Sequence, residues 1–110
     1  MDVYIYKSGT TYLTFPPVHI AGGGSNVKFV NTTEDIVRVT LPPNARDDDE
    51  PEFRDIPSGK KQNIHTKDQG GGNTKSHHYT VAKKPTLLVK KKMLLKKLQG
   101  GSDPILILEN

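Results

Sequence analysis

Residues 26–41 read Asn26-Val27-Lys28-Phe29-Val30-Asn31-Thr32-Thr33-Glu34-Asp35-Ile36-Val37-Arg38-Val39-Thr40-Leu41. Val27 and Phe29 alternate with Lys28 and Val30, and Val37, Val39 and Leu41 alternate with Ile36, Arg38 and Thr40. A period of two puts one set of side chains on an apolar face and the other on a mixed face, as a half-buried strand requires. The stretch therefore predicts two strands, at 26–31 and 36–41.

The same signal recurs on both sides. Short β-branched runs predict further strands at 3–6, 11–15, 18–21, 60–66, 77–82 and 104–108. Turn residues separate them: Ser8-Gly9, Pro16-Pro17, Gly22-Gly23-Gly24-Ser25, Pro42-Pro43-Asn44, Pro57-Ser58-Gly59, Gly70-Gly71-Gly72-Asn73 and Gly100-Gly101. Many short strands linked by Gly and Pro describe an all-β protein, an antiparallel Greek-key sandwich or barrel. Residues 105–108 are apolar throughout, which predicts a central strand covered on both sides.

The chain has 110 residues, 33% of them hydrophobic, and no cysteine. That length suits one core and one domain over 1–110. Without cysteine there are no disulfides, thiolate nucleophiles, zinc–thiolate sites or iron–sulfur clusters. No apolar run approaches the roughly 20 residues of a spanning helix, so no transmembrane segment is predicted. Met1-Asp2 runs straight into a strand, unlike a signal peptide. The expected location is cytoplasmic if Met1 is the native start, and periplasmic or extracellular if a leader was removed.

Charge is divided between the halves. Residues 1–55 hold five Lys/Arg and nine Asp/Glu, a balance of −4, and residues 56–110 hold eleven lysines and three acids, a balance of +8. The acidic half peaks at Asp47-Asp48-Asp49-Glu50, in a proline-bounded loop at 44–51 that is expected to stay unpacked and to pair with the lysines, within the fold or between molecules. The basic half peaks in a Lys/Leu-rich insertion at 86–99. On a helix, Leu87, Leu88, Leu94, Leu95 and Leu98 share a face, interrupted by Lys91. The insertion reads as a short helix, with a strand as the alternative. Lys90, Lys91, Lys92, Lys96 and Lys97 form a candidate binding group for an acidic macromolecule or an anionic surface. With no arginine in this half, and lysine lacking the planar fork that reads phosphate, specific nucleic-acid recognition is not expected.

Few residues suggest chemistry. His77 and His78, adjacent in a strand, would face opposite ways, but either could meet His65 across neighbouring strands. His65, His77 and His78 are therefore the candidate metal ligands, and imidazole suits Cu(II) or Ni(II). His19 is the fourth histidine. The acidic run lacks the alternate ligands and central glycine of an EF-hand. Residues 69–76, QGGGNTKS, put Gln69 and Thr74 where a phosphate loop needs glycine. Each serine sits in a turn context, no catalytic group can be named, and the chain is not expected to be an enzyme.

The Val27-Lys28-Phe29-Val30-Asn31-Thr32-Thr33 strand with the strand after it resembles the "V-x-F-x-N" region of the cupredoxins, the small blue-copper β-sandwich proteins. Pro57-Ser58-Gly59-Lys60 resembles their mid-chain turn, His78-Tyr79-Thr80-Val81 their penultimate strand and residues 100–108 their last. The resemblance implies copper ligands (His, Cys, His and Met) near Val37, Lys83, Thr86 and Ser102, and none of these four is the required residue. Without a thiolate there is no blue-copper site. The expectation is thus a non-enzymatic, cupredoxin-like binding module, a monomer or weak dimer, with no resident cofactor. The alternative is a copper carrier or sensor built on His65, His77 and His78.

Overall fold

The computed structural model describes residues 2–85, 102 and 104–109. They form ten strands and no helix: β1 (Asp2–Ser8), β2 (Thr11–Phe15), β3 (Val18–Gly22), β4 (Asn26–Asn31), β5 (Val37–Thr40), β6 (Arg54–Ile56), β7 (Lys61–His65), β8 (Thr74–His78), β9 (Thr80–Lys83) and β10 (Ile105–Glu109). The first sheet has the order β2-β1-β4-β7, the second β3-β10-β8 and the third β6-β5-β9. Only Tyr79 separates β8 from β9, so the second and third sheets follow on from one another. Its N–H bonds the Pro104 carbonyl at 3.1 Å, just ahead of β10. The chain also changes sheets between β2 and β3, through a cis Phe15–Pro16 bond.

The alternation at 26–41 is expressed directly. Val27 and Phe29 point inward with Val3 and Ile5 from the first sheet, and meet Val37, Val39, Val81, Leu106 and Leu108 from the other two; all are fully buried. Burying each such side chain contributes about 1.5–3 kcal/mol. Two layers of strands around this core make the all-β sandwich expected from the sequence.

Several expectations are corrected in detail. Two of the ladders, β1–β4 and β3–β10, are parallel, so the sandwich is mixed and not purely antiparallel. The strand expected at 77–82 is two strands that start earlier, at Thr74, and break where the chain exchanges β10 for β5 as its neighbour. β10 is central, but only Leu106 and Leu108 are fully buried; Ile105 and Ile107 face outward and stay partly exposed. β6 was not legible. The acidic loop packs: Ala45 is fully buried, and Arg46 bridges to Thr66. The helix-or-strand insertion at 86–99 lies outside the described residues. No helix among the described residues is long and apolar enough to cross a membrane.

Candidate binding surfaces

The ladder registers give the sandwich two chemically distinct ends. β5 begins with Val37 opposite Lys83 and ends with Thr40 opposite Thr80, from which the chain runs into the acidic loop. The acidic loop and the end of β7 lie together: Asp47 N–H bonds the His65 carbonyl at 3.1 Å and Lys67 N–H the Ala45 carbonyl at 2.9 Å. Two of its acids, Glu50 and Asp48, have cationic partners at this end. Glu50 takes both Nε and Nη2 of Arg54 on one oxygen and the His65 N–H on the other, and Asp48 takes Lys67 at 2.8 Å. Lys67 holds the Asp48 carboxyl below its usual range.

At the opposite end Asp35 is the organising acid. It accepts a short hydrogen bond from the Tyr12 hydroxyl and faces Lys7 at 3.4 Å and Lys83 at 3.9 Å. The Tyr12 bond, helped by the two lysines, pulls its carboxyl below the usual range. Burial, and then the hydrogen bond to Asp35 and its charge, push the Tyr12 phenol up to about 12. Asn31 holds the loop around it, donating to the carbonyls of Asp35 and Ile56, both at 2.8 Å. Lys83 and Lys84 remain about half exposed. From this end the chain departs after Pro85 and rejoins at Ser102, which pairs back with Val81 through both backbone bonds, at 3.3 and 3.1 Å. Lys90, Lys91, Lys92, Lys96 and Lys97 belong to this excursion and lie outside the described residues.

The candidate metal ligands fall in separate settings. His65 ends β7 in the first sheet, where its Nδ1 donates to Asn26 Oδ1 at 2.9 Å. His77 and His78 end β8 in the second sheet, so β7 and β8 are not the neighbouring strands expected. His77 Nε2 donates to Gln69 Oε1 at 3.0 Å, and burial, then the Lys75 charge, depress its pKa. His78 is exposed, opposite Ile105. Among the described residues no three His, Cys, Asp or Glu side chains are grouped as a metal ion needs.

The copper positions implied by the resemblance do not fit the ion either. Val37 is in the core, Lys83 is a cation paired to Asp35, and Thr86 lies outside the described residues. Ser102 Oγ is buried with no hydrogen-bond partner.

Two features were missed in the sequence. One is the His19–Tyr79 pair: His19 Nδ1 donates to the Pro16 carbonyl at 2.9 Å, leaving Nε2 to accept the Tyr79 hydroxyl at 2.6 Å. Burial lowers the His19 pKa, against the weaker opposing effect of the Pro16 bond, and raises that of Tyr79. Nothing local in the sequence marks partners 60 residues apart. The other is a set of exposed apolar side chains, Tyr4, Tyr6, Phe15, Val18 and Ile20, along β1–β3. The alternation of β1 and β3 contained that signal, since Tyr4 and Tyr6 in β1 and Val18 and Ile20 in β3 take outward positions. No family model matches the chain, and no curated protein matches it.

Proposed function

We propose that the chain is a non-enzymatic interaction module with a cupredoxin-like Greek-key sandwich and no blue-copper centre, and that Lys90, Lys91, Lys92, Lys96 and Lys97 dock it on an acidic macromolecule or anionic surface. The observation that carries this reading is the Val81–Ser102 bridge. It sets Ser102, beyond the lysine-rich stretch in sequence, beside Val81 of β9, the strand that ends at Lys83 ahead of that stretch. Lys75 through Ser102 contains eight lysines and no acid, so no internal carboxylate competes for them within that stretch. Such a polarised charge orients an encounter with an acidic partner before contact.

The cupredoxin-like part of the reading is supported by register. Val37 and Lys83, where the resemblance implies the first histidine and the cysteine, stand directly opposite one another in the β5–β9 ladder. Asn31 of the "V-x-F-x-N" strand ties the following loop to the strand.

The test compares the wild type with a variant carrying Lys→Gln at 90, 91, 92, 96 and 97 on vesicles rich in anionic lipid and on a sulfated polyanion. Each lysine near an anionic surface contributes about 1 kcal/mol, so the variant should lose at least about tenfold in affinity. Added salt should weaken the wild type on both probes. Equal binding by the two proteins would overturn the reading.

A further inference from the structure

Of the ten strands, β2 (TYLTF) and β3 (VHIAG) alone contain no Asp, Glu, Lys or Arg. Both are edge strands, β2 of the first sheet and β3 of the second. Joined by only Pro16 and Pro17, they run along the same side of the sandwich. An edge strand presents unpaired N–H and C=O groups, and proteins ordinarily guard such an edge with charge. The other edge strands carry it: Arg54 and Asp55 in β6, Lys61 in β7, Lys75 in β8 and Lys83 in β9.

The unguarded side is also the apolar one. Phe15 is 64% exposed, Val18 47% and Ile20 51%, and with Tyr4 and Tyr6 they are five of the seven large apolar side chains that stand exposed among the described residues. Val18 and Ile20 lie beside Ile105 and Ile107 in the parallel ladder, so four aliphatic side chains share the outer face of the second sheet at this edge.

We propose that this edge pairs with the same edge of a second copy of the chain, β3 against β3 in antiparallel register about a two-fold axis. The pairing joins two β3-β10-β8 sheets into one of six strands. A two-fold contact must be self-complementary, and an uncharged strand flanked by aliphatic side chains meets that condition. Net charge argues for the same geometry. Each chain carries +4, and antiparallel pairing sets the two Lys83/Lys84 ends at opposite ends of the dimer, whereas contact through β6, β7, β8 or β9 brings charged strands together.

The test is sedimentation or light scattering of the full chain from micromolar to millimolar concentration, on the wild type and on Val18→Lys and Ile20→Lys. Both positions point outward and are about half exposed, so the far-UV circular dichroism of each variant should match the wild type. The wild type should reach twice the 12.2 kDa of one chain, and both variants should remain at the single-chain mass. A second readout needs no variant: amide exchange in β3 of the wild type should slow as concentration rises. A wild type that stays single-chain throughout, a dimer that survives both substitutions, or β3 exchange independent of concentration would overturn the proposal. The lysine segment is untouched by these variants, so their outcome is independent of anionic binding.

Discussion

At Asn31 one amide closes four hydrogen bonds in the core. Its Nδ2 serves two carbonyls, and its Oδ1 accepts from the N–H and hydroxyl of Thr33 at 2.9 and 2.7 Å. Asn31→Asp keeps the shape but turns the donor into a buried carboxylate oxygen facing two carbonyls. It should cost about 3 kcal/mol or more, read as a lower urea midpoint at neutral pH. His19 makes a second residue-scale prediction. Its folded pKa lies below the ordinary 6.5 because burial disfavours the imidazolium. Below that ordinary value the unfolded chain binds the proton and the folded chain does not, so stability is fully present above about 6.5 and falls as pH drops toward the folded pKa. The wild-type urea midpoint should therefore fall between pH 7.5 and 5.5, and His19→Gln should reduce that fall, leaving the part due to His77. An unchanged slope in the variant would show that His19 is not buried neutral.

Among the elements, β6 is held to β5 by its short ladder, by buried Ile56 and by one side-chain pair. Arg38 and Asp55 are register partners, bonded through Nε at 2.9 Å and Nη2 at 3.1 Å, and the guanidinium stacks on Phe53 at 3.7 Å from the ring centroid. Lysine keeps the charge but loses the fork and the stacking. Arg38→Lys should cost about 1 kcal/mol and lower amide protection in β6 while leaving β4 protected. Protection lost equally from both strands would assign the pair a global role. The sequence pattern at 26–41 was legible because alternation there coincides with burial. Arg-Asp-Ile at 54–56 has too few residues and too little apolar character for any period to register. Alternation also names the face of a side chain but not its neighbouring strand, so the parallel ladders, the β8–β9 break and the separation of His65 from His77 were beyond its reach. The acidic loop was legible as a loop; its packing depends on Ala45, one small residue among charges.

Across the whole molecule, acids and bases pair locally at both ends of the described sandwich. The acidic loop sits beside the end of β7, with Glu50 paired to Arg54 and Asp48 to Lys67, while Lys83 and Lys84 stand at the opposite end beside Asp35 and Asp55. Val37 and Lys83 face one another in the β5–β9 ladder at that end. The most direct measurement is a two-dimensional amide NMR titration with a sulfated polyanion, at low and at physiological salt. Shifts should centre on Val81, Lys83, Lys84, Ser102 and the residues between 85 and 102, and salt should reverse them. Shifts centred on Asp47–Glu50 and His65, or shifts indifferent to salt, would contradict docking through the lysines.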